Sequence, residues 1–158
     1  MLNSIIKVFT PPLLLISVLL NCSSTNATDV KIQFEQSMAQ NKGKVVYLDF
    51  WASWCVPCRK SFPWMNSMQE KYQHQGLVVL SINLDAKLEL AKQFLQTTPA
   101  NFAIIYDTKG TLAKEFQLKG MPSSYLFNRQ GNLISAHRGF NDKKQLKYQQ
   151  EIKQALAN

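Results

Sequence analysis

The chain has 158 residues, a formal net charge of +8, and 46% apolar against 18% charged residues. That supports one domain with its own core and argues against a two-domain protein or a disordered chain. The basic residues are scattered, without a dense run interleaved with aromatics, so the surplus reads as a solvated basic surface and nucleic acid is not an expected partner.

Residues 1–27 carry one charged side chain, Lys7, ahead of the apolar stretch "PPLLLISVLL" at 11–20. The stretch is too short to span a bilayer and matches the core of an export signal, with Lys7 and the amino terminus as its positive end. "TNA" before Thr28 suits cleavage after Ala27. Cys22 offers a rival reading, a lipoprotein signal cut just before a cysteine that then carries lipid. Asn21 departs from the small residue such signals normally carry there. Both readings stay open: a signal over 1–27, and a working domain over 28–158 that is exported to the periplasm or cell envelope, free or anchored through Cys22.

Residues 30–40 repeat apolar side chains at 30, 34 and 38, a helical spacing. "VVYLDF" (45–50) is a nearly continuous apolar run, expected of a strand buried on both faces. Residues 58–74 read as a helix with Phe62, Met65, Met68 and Tyr72 on one side, ended by Gly76. Phe62 and Met65 are expected in the core. "LVVLSINL" (77–84) predicts a second buried strand, 86–96 a helix, and "FAIIYD" (102–107) a third strand. A short helix over 111–116, a hairpin of 123–128 and 133–140 around "RQGN", and a helix over 142–157 complete the chain. This alternation predicts an α/β fold, a sheet with helices on both faces.

Chemistry concentrates in "FWASWCVPCRK" (50–60). A core of this size needs no disulfide staple. Structural zinc wants four ligands, and Cys55 and Cys58 have no second pair; His74 and His137 stand apart and read as surface or partly packed side chains. No metal is therefore expected, although copper(I) on two thiolates is harder to exclude. A redox role fits the placement better. A strand ends near Trp51 and a helix begins at the cysteines, so Cys55 faces free backbone N–H groups that favour its thiolate. Cys58 follows one turn later, within disulfide reach. Pro57 suits the helix start, where no N–H is needed. Arg59 and Lys60 either add positive field or point to water. Cys55 would attack a substrate disulfide, and Cys58 would then resolve the mixed disulfide. No organic cofactor is needed beyond a Cys55–Cys58 redox disulfide.

With "VVYLDFWASWCVPC" and "GMPSSYLF", the chain resembles the thioredoxin superfamily over about residues 30–157, and within it the exported TlpA/ResA-like thiol:disulfide oxidoreductases. The resemblance implies a thioredoxin-like fold with a central mixed sheet, and an extra helix and strand at about 86–107. It implies that Pro122 is cis and faces the disulfide, and that the backbone of Met121 pairs with substrate. Pro63 matches a helix kink and Gly139 a glycine after the last hairpin strand. Asp49 stands where ordinary thioredoxins bury an acid behind the disulfide. Its apolar neighbours favour burial, a raised pKa and a proton relay to Cys58. Trp54 borders the thiol and either packs or, with Val56 and Pro57, forms a platform where partner chains dock; Trp51 and Trp64 read as packing.

The expected enzyme is a monomeric thiol:disulfide oxidoreductase acting on protein thiols or disulfides. Relatives often reduce exported substrates, including in cytochrome c biogenesis. Ser61 and Ser123 replace acids common in that branch, which weakens that assignment. A reductant in an oxidising envelope needs a membrane thiol electron donor; the opposite direction would need an acceptor. The rival is a copper- or haem-site accessory protein using the same thiols. A thiol peroxidase is a weaker third reading, for its cysteine motif is absent.

Overall fold

The computed structural model describes residues 30–158. Residues 1–29, with the export signal and Cys22, lie outside the described residues. Five helices and five strands follow in the order α1 (Val30–Gln40), β1 (Val45–Trp51), α2 (Val56–Tyr72), β2 (Leu77–Asn83), α3 (Leu88–Thr97), β3 (Ala103–Tyr106), α4 (Thr111–Glu115), β4 (Ser123–Phe127), β5 (Leu133–Arg138) and α5 (Asp142–Ala157).

The strands form one mixed sheet in the order β3-β2-β1-β4-β5. β1 pairs parallel with β2 and antiparallel with β4, and β2 pairs parallel with β3. All seven residues of β1 are buried, which explains its unbroken apolar run: a central strand needs apolar side chains on both faces. Odd-numbered β1 residues such as Tyr47 and Trp51 pack with Phe62 and Met65 of α2, Phe94 of α3 and Tyr148 of α5. Even-numbered Val46, Leu48 and Phe50 pack with Leu112 of α4 and Phe34 of α1.

Local chemistry sets the element ends. α2 starts at Val56, two residues before the sequence expectation, because Pro57 is accommodated in the first turn. A short 3-10 turn, Gln73–Gln75, follows, and Gly76 closes it with φ 95°, a left-handed backbone that suits glycine. Asp107 accepts the N–H groups of Thr111, Leu112 and Ala113 at 2.7, 2.8 and 3.1 Å and so caps α4. Asn141 caps α5 by accepting the N–H of Lys144. In α3 only Ala91 and Phe94 are buried, and Leu90 is 41% exposed because it sits on the flank of that stripe.

Candidate active site

β1 delivers the chain to the site. After Trp51 it turns through Ala52–Trp54, and Cys55 becomes the N-cap of α2 with an extended backbone, φ −81° and ψ 100°. The amides of Cys58 and Arg59 point back to the Cys55 carbonyl, at 3.1 and 3.3 Å. The first turn holds no acid to cancel the positive end of the helix. Cys55 and Cys58 form a disulfide, Sγ–Sγ 2.00 Å and Cα–Cα 5.3 Å. Cys55 is 5% exposed and Cys58 is fully buried, so an incoming thiolate or disulfide reaches Cys55 first.

The turn before Cys55 is clamped from below. Asp85, fully buried just past β2, accepts the Ser53 amide on Oδ2 at 2.9 Å and the Ser53 hydroxyl on Oδ1 at 2.8 Å. Asn83 Nδ2 donates to the same Oδ2 at 2.8 Å, so the carboxylate is held as well as holding. Arg59 donates through Nε and Nη2 to the Ser53 carbonyl at 3.3 and 3.1 Å, with its guanidinium over the Phe94 ring. Arg59 therefore braces the loop, whereas Lys60 is exposed to solvent.

Beside the disulfide the Met121–Pro122 peptide is cis. Gly139, with φ 75°, donates its amide to the Pro122 carbonyl at 2.7 Å, tying this loop to the end of β5. That left-handed backbone is what favours glycine there. Trp54, Cys55, Val56, Pro57, Leu118 and Met121 line an open groove of about 600 Å³. Trp54 and Val56 are 65% and 66% exposed. Ser61 and Ser123 are buried and donate to the Cys58 and Gly120 carbonyls at 2.9 and 2.7 Å. The hydroxyls are thus satisfied locally, and the site lacks the acids common at these places in the exported branch.

Asp49 lies on the α2 face of β1 and is 2% exposed. Its Oδ2 has no hydrogen-bond partner. Burial alone pushes the carboxyl well above the usual carboxylate range. Across the sheet, Tyr47 donates its hydroxyl to Ser124 Oγ at 2.7 Å, Ser124 Oγ lies 3.1 Å from His137 Nδ1, and His137 Nε2 lies 2.6 Å from Glu151 Oε2. Burial also raises Tyr47, with Asp49 adding to it, so the phenol stays a donor.

The structure brings Cys55, Trp54, Val56, Pro57 and Met121 to one groove, with Cys58 buried behind Cys55, the cis Pro122 next to Met121 and Asp49 on the sheet face under α2. Trp51 and Trp64 are buried, as packing residues are, although Trp64 Nε1 finds no partner. His74 is exposed, whereas the side chain of His137 is only 4% exposed. Among the described residues no group of three or more histidine, cysteine, aspartate or glutamate side chains could hold a metal ion, and no helix is long and apolar enough to cross a membrane. Sequence reasoning missed Asp85 and the Ser124–His137–Glu151 line. A signal for the first existed: "SINLD" alternates Ser81, Asn83 and Asp85 on one face of an apolar run.

A parallel three-strand block extended by an antiparallel hairpin, with a CxxC disulfide at a helix start and a cis-proline beside it, defines a thioredoxin-like fold. The chain belongs to the AhpC/TSA family, whose pattern matches residues 22–136. It is 32% identical over 105 residues to "Thiol-disulfide oxidoreductase ResA" of Bacillus thuringiensis subsp. konkukian (strain 97-27), covering 66% of this chain and 61% of that protein. It is 30% identical over 119 residues to "Sporulation thiol-disulfide oxidoreductase A" of Bacillus subtilis (strain 168), covering 73% of this chain and 72% of that one. A solved structure from Chlorobium tepidum, described as a candidate thiol:disulfide interchange protein DsbE, superposes with a TM-score of 0.74 at 47% identity, covering 75% of this chain and 84% of that chain.

Proposed function

We propose that this protein is a thiol:disulfide oxidoreductase of the cell envelope that reduces exported protein substrates. One observation carries the reading: the disulfide closes across the first turn of α2 with Cys55 at the groove and Cys58 buried behind it. In the dithiol form the helix end favours the Cys55 thiolate. That thiolate attacks one sulfur of a substrate disulfide, the other sulfur leaves as a thiolate, and a mixed disulfide forms on Cys55. Cys58 then gives its proton to Asp49, attacks the Cys55 sulfur and expels the second substrate thiolate. Two electrons have passed to the substrate and Cys55–Cys58 is again a disulfide. A membrane thiol donor returns the pair to the dithiol.

The groove supports a docked polypeptide: Trp54, Val56 and Pro57 supply an apolar wall, and the Met121 backbone supplies the polar edge that pairs with substrate. The relatives' names support the reaction class. The segment over 1–27 supports export, followed either by cleavage after Ala27 or by lipid on Cys22, with 28–158 as the exported domain.

Cys55→Ser tests the reaction. It is expected to lose essentially all reduction of insulin disulfides while keeping the fold; full activity would overturn the reading. Cys58→Ala, expressed in the envelope, is expected to hold mixed disulfides on Cys55 for identification by mass spectrometry. Recovery of proteins awaiting oxidation, in place of disulfide-bearing targets, would reverse the direction of electron flow. Stoichiometric copper(I) uptake against a chelator, without disulfide exchange, would favour the metal-accessory reading instead.

A further inference from the structure

Asp49 is a buried acid, 2% exposed, whose Oδ2 is shut away from solvent without a partner. To act as base for Cys58 it must release one proton when the disulfide forms and regain one when the dithiol is restored. The groups around Asp49 supply a route. In the sheet register Asp49 of β1 stands opposite Ser124 of β4, and Ser124 stands opposite His137 of β5. Residues directly opposite on neighbouring strands share a face, with Cβ atoms about 5 Å apart. Asp49, Ser124 and His137 therefore form one row across the sheet, on the face covered by α2 and α5.

The hydrogen bonds give the row a direction. Tyr47 donates into Ser124 Oγ, which leaves the Ser124 hydroxyl proton for His137 Nδ1. The imidazole then carries its own proton on Nε2 and donates it to Glu151 Oε2. The ring is stacked on Tyr148, centroids 3.9 Å apart, and its side chain is 4% exposed, whereas Glu151 is 21% exposed and so meets solvent. The groups facing the ring are Glu151, Lys147 and Tyr148 from α5, Tyr47 from β1 and Ser124 from β4. Burial lowers the pKa of His137 against the pull of Glu151, so the resting ring is neutral with one nitrogen free to accept.

We propose that Ser124, His137 and Glu151 are the proton exit and entry of Asp49. This rests on Asp49 serving as base for Cys58. During disulfide formation Cys58 protonates Asp49. Asp49 passes that proton to Ser124, whose hydroxyl proton moves to His137 Nδ1, and the Nε2 proton leaves to Glu151 and water. Ser124 adjoins Asp49 across the strand pair without a hydrogen bond to it in the disulfide form, so a side-chain rotation or one water completes that step. Restoring the dithiol runs the same transfers inward, which returns the imidazole to its starting tautomer. One proton crosses each way per cycle. Ser124 and His137 are thus positioning residues that act through Asp49, not on the sulfurs.

The test separates the two chemical steps in the full chain. Stopped-flow mixing of reduced protein with a chromophoric disulfide reports attack by Cys55 and then resolution by Cys58. For His137→Gln, attack is expected unchanged and resolution about tenfold slower, with a flattened pH profile and a larger solvent isotope effect. Glu151→Gln, an isosteric change at a partly exposed position, is expected to slow resolution severalfold. Asp49→Asn combined with His137→Gln is expected to be no slower than Asp49→Asn alone, because both lie on one route. Wild-type resolution and pH profile in both His137→Gln and Glu151→Gln would overturn the proton route while leaving Asp49 as base. Wild-type resolution in Asp49→Asn would instead overturn the base assignment beneath it.

Discussion

The two faces of the central sheet are built from the same strands and have opposite characters. Below β1, Val46, Leu48 and Phe50 meet Leu80, Ile82, Ile105 and Leu112 in an apolar layer. Phe50, Phe116 and Tyr125 meet within it in tilted and edge-on pairs at centroid distances of 4.9 to 5.8 Å. Above β1, one residue out of step, the face carries Asp49, Ser81, Ser124 and the disulfide among its apolar side chains. A strand alternates its side chains, so a single register lets one surface specialise in cohesion and the other in chemistry. An unpartnered carboxyl in a core destabilises the fold, and Asp49 is such a group on the disulfide-bearing face.

The largest expected effect tests the cohesive face. Phe50→Ala removes a fully buried ring and is expected to cost about 3–5 kcal/mol in denaturant unfolding. Exchange rate per folded molecule should stay near wild type. A collapse of that rate in folded protein would show that the faces are not separable.

The next effect belongs to Asp49. A carboxyl whose pKa is raised by folding binds its proton more tightly in the folded than in the unfolded chain. Its contribution to stability is therefore fullest below the ordinary carboxyl range, near pH 4, and is lost as pH rises until the folded carboxyl ionises. Oxidised wild type is expected to lose stability relative to Asp49→Asn as pH rises from about 5 to about 8. Guanidinium unfolding of the two proteins at both pH values measures it. Parallel stability profiles would mean that Asp49 titrates normally and that the chemical face carries no such cost.

The smallest effect lies on neither face. Glu115 meets Lys31 at 3.3 Å with both side chains nearly half exposed. Glu115→Gln is expected to change stability by less than about 0.5 kcal/mol and exchange not at all. A larger change would extend functional coupling to the rim.

Much of this was legible from residue patterns. The strands announced themselves as apolar runs, and Asp49 within "VVYLDF" was expected to be buried because its neighbours are apolar. "WCVPC" and "GMPSS" placed the disulfide and the cis-proline through family resemblance. What stayed hidden depends on pairing between distant segments. Asp85 acts on Ser53 from 32 residues away, and a lone aspartate after a strand looks like a turn residue. Ser124 and His137 each look like solvent-facing hairpin residues. Counting outward from the "RQGN" turn brings them opposite one another, but a count does not show which sheet face they share with Asp49 or that α5 covers it. Glu151 is an ordinary helical acid until α5 is laid on the sheet.

The exposure of Trp54 gives the molecule a built-in optical reporter. Of its three indoles, those of Trp51 and Trp64 are shielded, at 0% and 6% exposure, whereas Trp54 stands in water next to Cys55 at 65%. Indole emission shifts to the blue when water is stripped from the ring, and a neighbouring disulfide quenches it. Reducing the Cys55–Cys58 bond should brighten the red edge of the spectrum, and covering the groove should move that same edge to shorter wavelength. Redox state and occupancy can thus be followed separately, in real time, without attaching a label.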